Sequence, residues 1–327
     1  MLKTTISNAY PKIPKDKREK NLRKAINRFE KVKISHEDLE DYYINAIERA
    51  VKYQNEADLD LVTDGLIRWD DPFSRFSEGV KNLERGGLVR YFDNNTYYRK
   101  PVIKGELKFE KSVLVDDFKL ASELSDAPVK AVLPSPYTFS MMLEDDYYFD
   151  QRRMIEPICE ILAEEVRQLK DAGCLVVQFE EPVLLTNPAA VEWTSYWFNQ
   201  IVSQFDLEFW LCFYFGEFSV IGEWVNAFKV DCIAVDLVSH PDDFEAFCKI
   251  ETDKKRCFGL IDSRDIEMED EKELMKKLDR INDAVNGNNF YVSTSASLEF
   301  LPPKEAYEKL NLLGLLKKMF NKDKGDA

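Results

Sequence analysis

Histidine is almost missing from this sequence: His36 and His240 are the only two in 327 residues. Cysteine is present but unorganised. Cys159, Cys174, Cys212, Cys232, Cys248 and Cys257 form no CxxC pair, and neither histidine stands at ligand spacing from a cysteine. Zinc needs three or four good donors, so residue chemistry alone argues against a zinc site. No GxSxG occurs, and two histidines do not support a hydrolytic triad. No GxGxxG or GxxxxGK[ST] follows the first strand, which counts against dinucleotide and P-loop folds. No run approaches the ~18 apolar residues of a membrane helix. The opening MLKTTISNAYPKIP lacks the apolar centre of a secretory signal. Most cysteines sit in apolar stretches such as AGCLVV, where they behave as small hydrophobes. These absences lead us to expect a reduced, soluble, cytoplasmic chain without a membrane partner.

Positive charge is also short. Sixty acidic side chains outnumber 45 basic ones, for a net charge of −15 and a pI near 4.8. Such a chain repels a phosphate backbone, so no nucleic-acid partner is expected. The exception is residues 12–33, KIPKDKREKNLRKAINRFEKVK, where ten Lys/Arg face three acids. Such a run is either a solvated face or a local anion site.

What the sequence does have is rhythm. Short apolar runs recur: TTIS near the N-terminus, LDLVTDG (58–65), VKAVLPSP (129–136), CLVVQFEEP (174–182), FWLCFYFG (209–216), DCIAVDLVS (231–239), KRCFGLIDS (255–263) and NFYVSTSAS (289–297). Amphipathic segments separate them. In residues 156–173, Ile158, Ile161, Leu162, Val166 and Leu169 share one helical face, and Gly173 marks the stop. Strands alternating with helices imply parallel pairing. Eight strands in one uninterrupted chain, without repeats or linkers, predict an α/β fold: a single (βα)8 TIM-type barrel spanning 1–327. The polar tail is expected to fray from about 318. Two long loops, 85–110 (with a β-hairpin) and 134–150, should lie on the barrel's C-terminal face, where barrel enzymes place their sites.

Polar residues at strand ends are the candidates for chemistry. They are Asp64, Gln178, Glu180, Glu181, Tyr214, Asp236, Asp262 and Ser293 to Ser297. In a barrel they converge on one face, as general acid/base groups or ligands; singly, each equally suits a cap for the next helix. Cys212 and Tyr214, two apart on one strand, share a face. His240 reads as a structural loop residue.

In order, ISNAYPKIP, NLRKAI, ISHEDLE, QNEADLDLVTDG, YFDNNTYYRKPVI, VLPSPYTF, QFEEPVLL, FYFGEF and YVSTSASL resemble cobalamin-independent methionine synthase, of the methionine synthase/uroporphyrinogen decarboxylase-like barrels. The resemblance covers nearly the whole chain. It implies a methyltransferase family whose full-length members carry zinc and homocysteine in a C-terminal barrel and no metal in an N-terminal one. By that register the zinc positions fall at Cys212, Tyr214, Asp236 and Ala296, of which at most one is a strong ligand. Homocysteine contacts change too: serine becomes Ala9, glutamate becomes Leu66, and the aspartate of QxDEP becomes Glu180. YFDNNTYYRKPVI, FYFGEF, DCIAVDLVS and CFGLIDSRDIEMED look more like the metal-free barrel. The resemblance further implies that Lys20 and Arg23, one turn apart in KNLRKA, contact the polyglutamate of a folate; Lys12 and Gln178 complete the expected substrate or anion set.

The resulting expectation is a metal-free subunit of a split methionine synthase. It would hold no cofactor alone, share a methyltetrahydrofolate-type donor, and need a zinc-bearing catalytic partner. A zinc-free enzyme acting on another small molecule through Asp64, Glu180, Glu181, Tyr214 and Asp236 is the alternative. A zinc methyltransferase with misregistered ligands ranks last.

Overall fold

The computed structural model describes residues 1–92 and 96–325. The residues DNN at 93–95, part of one family-like segment, lie outside that range, as do 326 and 327.

The chain opens with β1 (Leu2–Thr4), α1 (Leu22–Glu30) and α2 (His36–Glu56). An excursion follows with β2 (Val80–Glu84), β3 (Leu88–Arg90), β4 (Tyr97–Arg99) and β5 (Val102–Phe109). The alternating part then runs α3 (Val115–Leu124), β6 (Lys130–Pro134), α4 (Pro136–Met142), β7 (Glu144–Asp145), α5 (Gln151–Asp171), β8 (Val176–Glu180), α6 (Val191–Val202) and β9 (Glu208–Phe213). It ends with β10 (Cys232–Asp236), α7 (Asp243–Lys249), β11 (Lys255–Ile261), α8 (Glu271–Ala284), β12 (Phe290–Thr294) and α9 (Pro303–Gly325).

Seven parallel strands form one sheet in the order β1-β12-β11-β10-β9-β8-β6. The eighth stave is reduced. The expected strand at 58–65 survives only as bridges of Thr5 to Leu61 and of Val62 to Val129. These two residues nonetheless close the ring. Leu61 N donates to Thr4 O at 3.3 Å and Lys130 N to Val62 O at 2.9 Å. Left-handed backbone at Asp58 (φ 57°) and Gly65 (φ 77°) bends the chain away on either side. A side chain at Gly65 would also meet the Ala50 Cβ at 2.9 Å, so glycine suits both the turn and the close packing.

Strands β8, β10 and β12 are buried at every position, as expected for parallel strands covered outside by helices and filled inside by side chains. Inside the ring, Leu61, Val176, Trp210, Cys212, Cys232, Ala234, Cys257, Tyr291 and Ala296 pack together. Residues of the other parity, such as Phe179, Leu211, Phe213 and Phe258, join the outer core under the helices. Helix α5 shows how the sequence builds that layer. Asp150 caps it by accepting from Arg152 N, its buried face carries Ile158, Ile161, Leu162, Val166 and Leu169, and Gly173 (φ 92°) ends it.

Two expectations are corrected. The segment 134–150 is not a plain loop: it contains α4 and β7, and β7 pairs parallel with β5. The tail does not fray at 318. Helix α9 continues to Gly325, Phe320 is buried, and the Asn321 amide both donates to Leu2 O and accepts from Leu2 N at 2.9 Å. Residues 85–110 do hold a hairpin, β3–β4, beside the antiparallel pair β2–β5.

Candidate functional site

Strand alternation decides which strand-end groups face the barrel axis. On β8, Gln178 and Glu180 point inward and Phe179 outward; Glu181, just past the strand, turns outward. The buried Glu180 carboxylate accepts from Asn8 Nδ2 at 2.7 Å and from Tyr214 Oη at 2.8 Å. A longer bond comes from Gln178 Nε2 at 3.3 Å. The Tyr91 and Tyr214 hydroxyls stand 3.0 Å apart, which links the excursion to the end of β9. Burial pushes the Glu180 carboxyl up from the ordinary range, while the bonds from Asn8 and Tyr214 pull it back.

Below Glu180 lies Lys130, fully buried within the barrel. Its ammonium donates to Ile6 O at 2.9 Å and to Gln178 Oε1 at 2.6 Å, and stands 5.1 Å from the Trp210 ring centre. Burial drives its pKa down. Gln178 donates in turn to Ser7 O at 2.8 Å. The amide therefore relays between the lysine and the carboxylate, and its polar atoms are spent inside the barrel.

Above Glu180 a cavity opens, lined by Asn8, Trp69, Tyr91, Tyr98, Tyr214 and Phe300 among others. Its aromatic lining is braced by further rings. Tyr91 and Tyr98 meet at 6.0 Å and 74°, Tyr91 and Phe73 at 5.9 Å and 59°. Phe215 packs on Tyr214 at 4.7 Å and on Phe300 at 5.9 Å.

Residues 68–286 match the family model described as cobalamin-independent synthase, N-terminal domain. The chain belongs to this family. It is 29% identical to the methionine synthase of Sulfolobus acidocaldarius over 312 residues, covering 95% of this chain and 89% of that protein. With the methionine synthase of Saccharolobus solfataricus it is 27% identical, with 95% and 92% covered. Among solved structures, a B12-independent methionine synthase from Shewanella sp. W3-18-1 in complex with selenomethionine superposes with a TM-score of 0.86 at 20% identity over the whole of both chains. A putative vitamin-B12-independent methionine synthase from Listeria monocytogenes gives 0.76 at 18% over 98% of each. At such identities these structures speak to the fold, which they share with this barrel.

The residues at the family's zinc positions do not fit a zinc ion. Cys212 is buried, with its sulfur 3.7 Å from Ser7 Oγ, and burial raises its thiol pKa far above the ordinary value. Tyr214 is committed to Glu180. Asp236 serves its own loop: it accepts from Val238 N at 3.0 Å and Ser239 N at 3.1 Å, and from the Ser239 hydroxyl. Ala296 has no donor atom. Among the described residues no group of three or more His, Cys, Asp or Glu side chains could hold a metal ion.

Other candidates scatter. Asp64 faces out from the barrel beside Leu114 and Phe118 rather than into the mouth. Burial, helped by the nearby Asp117, pushes its carboxyl up to about 7. Glu181 accepts from the hydroxyls of Ser135 and Thr138 and from the N–H of Leu184 at 3.2 Å, tying the end of β8 to α4. Asp262 accepts from Arg264 N at 2.8 Å, and Ser263 and Ser295 share a 3.1 Å hydroxyl contact.

The basic run is also divided. Lys20 precedes the N-cap Asn21, so it is not one helical turn from Arg23 on α1. Its ammonium stands 5.5 Å from the Tyr42 ring centre. Lys12 pairs with Glu299 at 2.5 Å. Arg23 and Lys12 share a groove with the carboxylates of Glu30, Asp70 and Glu299. Gln178 stands apart, inside the barrel.

Sequence reasoning missed Asn8 and the aromatic wall. Asn8 ends the first strand run, as Glu180 ends β8, and that shared position is the available signal. Tyr91, Tyr97 and Tyr98 belong to YFDNNTYYRKPVI, the family-like segment within the 85–110 loop.

Proposed function

We propose that this chain is the zinc-free, N-terminal-type barrel of a split methionine synthase. A separate zinc-bearing barrel would transfer the methyl group to homocysteine, and this chain would help to hold the folate-type or related methyl donor. One observation carries the reading. At the positions where the catalytic barrel keeps zinc, this chain has Tyr214 bonded to Glu180, Asp236 bonded to its own loop, and Ala296 without a donor. We place the pair in the cytoplasm, where the six free cysteines stay reduced. Among the described residues no helix is long and apolar enough to cross a membrane.

A second reading is favoured by a different observation. The mouth cavity holds a buried carboxylate against an aromatic wall, as in a small-molecule site. On that reading the chain is itself an enzyme, with Glu180 as its acid/base group.

Assay of homocysteine methylation by the lone chain, by the zinc-bearing barrel and by their mixture separates the two. The first reading predicts transfer by the mixture beyond the partner alone, and none by this chain. Equal rates with and without this chain would reject it.

A further inference from the structure

The mouth cavity is electrostatically one-sided. Among the described residues, the carboxylates on its lining are Glu180, Asp70, Asp71 and Glu299, and no Lys or Arg lines it. Three of these are already matched. Asp70 pairs with Arg85 at 3.5 Å and Glu299 with Lys12 at 2.5 Å. Asp71 accepts from the backbone N–H groups of Phe73, Ser74 and Arg99. Glu180 differs: its direct partners Asn8, Tyr214 and Gln178 are all neutral. Lys130 acts on Glu180 only across the intervening amide: its ammonium is bonded to Gln178. A buried carboxylate with neutral partners either keeps a proton or takes a cation.

The remaining wall is aromatic. Trp69, Tyr91, Tyr98, Tyr214 and Phe300 line the same space. Ring faces attract cations whose charge is spread under methyl groups, and several rings in a box compensate for the lost hydration of such ions. Size narrows the class. The cavity has about 70 Å³ of space, room for roughly five waters at about 10–15 Å³ each. That accommodates a head group of a few heavy atoms.

We propose that the barrel mouth binds a small methylated onium ion, a quaternary ammonium or a sulfonium, with Glu180 as counter-ion and the rings of Trp69, Tyr91, Tyr98, Tyr214 and Phe300 as its cage. The proposal rests on the mouth being a ligand site and not on a zinc-bearing partner. It is tested on the lone chain, so its failure and that of the split-synthase reading are distinguishable.

The experiment is calorimetric titration of the full chain at pH 8 with choline, with trimethylsulfonium and with 3,3-dimethylbutanol, the neutral isostere of choline. The expected result is that at least one of the cations binds more tightly than the neutral isostere by roughly tenfold or more. Choline alone or trimethylsulfonium alone identifies which onium the cage takes. Glu180→Gln should abolish the preference for charge, and Tyr98→Leu should weaken the cation by roughly three- to tenfold; thermal unfolding of each variant confirms that it is folded. A cation bound no better than 3,3-dimethylbutanol overturns the proposal. So does cation binding that survives Glu180→Gln undiminished, or no binding of either cation by the folded wild-type chain.

Discussion

Two consecutive glutamates at the end of β8 divide the molecule into its two working regions. Glu180 points into the barrel mouth, meets the amide of Asn8 and the phenol of Tyr214, and borders open space. Glu181 points outward, is enclosed by Ser135, Thr138 and Leu184, and borders none. Composition and burial are the same for both. Direction along the strand decides the rest: the inner residue is available to a ligand, and the outer one fastens α4 to the barrel. A pair of strand-end carboxylates is therefore not a pair of catalytic groups.

Substitution should separate the two most sharply. Glu181→Ala strands two hydroxyls and two backbone N–H groups, those of Thr138 and Leu184, in a buried site, and should cost about 3–5 kcal/mol of stability. Glu180→Gln keeps shape and most hydrogen bonds, and should cost about 1 kcal/mol or less. Urea unfolding of both variants measures this; equal losses would erase the distinction between the regions.

The outer region should also set the pH dependence of stability. Burial pushes Glu165, Glu181 and Asp64 up to about 7. Each then binds a proton more tightly in the folded chain than in the unfolded one. Their contribution is complete below the unfolded values near 4–4.5 and is lost as pH rises through about 7. Stability should fall from pH 5 to pH 8, by on the order of 2–3 kcal/mol per group at most. Glu165→Gln should flatten the slope. Denaturation midpoints that climb across this window would contradict the assignment.

A smaller change probes the inner region. Tyr214→Phe removes the hydroxyl that joins Tyr91 to Glu180 and should cost about 1–2 kcal/mol. It should also raise the Glu180 carboxyl further, visible as an upward-shifted carboxyl titration in carbon-detected NMR. An unmoved titration would mean that the tyrosine does not support the carboxylate.

These comparisons show what was legible in the sequence. Parallel strands over buried β-branched runs announce themselves because both faces are apolar, and the alternation with helices gives the barrel. The stave at 58–65 misled because its apolar run is real, but left-handed turns at Asp58 and Gly65 leave only Leu61 and Val62 in bridge geometry. The tail misled because polar residues on one face of α9 hide Phe320 on the other. At the site, Glu180 and Tyr214 were readable as strand ends. Asp64, Glu181 and Asp236 were equally readable, and nothing in their spacing shows that a following turn or cap consumes them. The cage was the hardest to see, since Trp69, Tyr91 and Tyr98 come from an excursion that only the fold brings over the mouth.

The smallest effect is expected at the basic run. Lys12→Ala breaks a partly exposed pair with Glu299 and should change stability by about 0.5 kcal/mol or less. A loss comparable with that of Glu181→Ala would make this run part of the structural region.

The proposed split synthase, with this barrel as its metal-free half, stands or falls on the behaviour of the lone chain. Measuring zinc content and homocysteine methylation together, on the lone chain purified without chelators, tests it most directly. The expected result is essentially no retained zinc and no transfer until a zinc-bearing barrel is added. About one tightly held zinc per chain, with transfer by the chain alone, would contradict it.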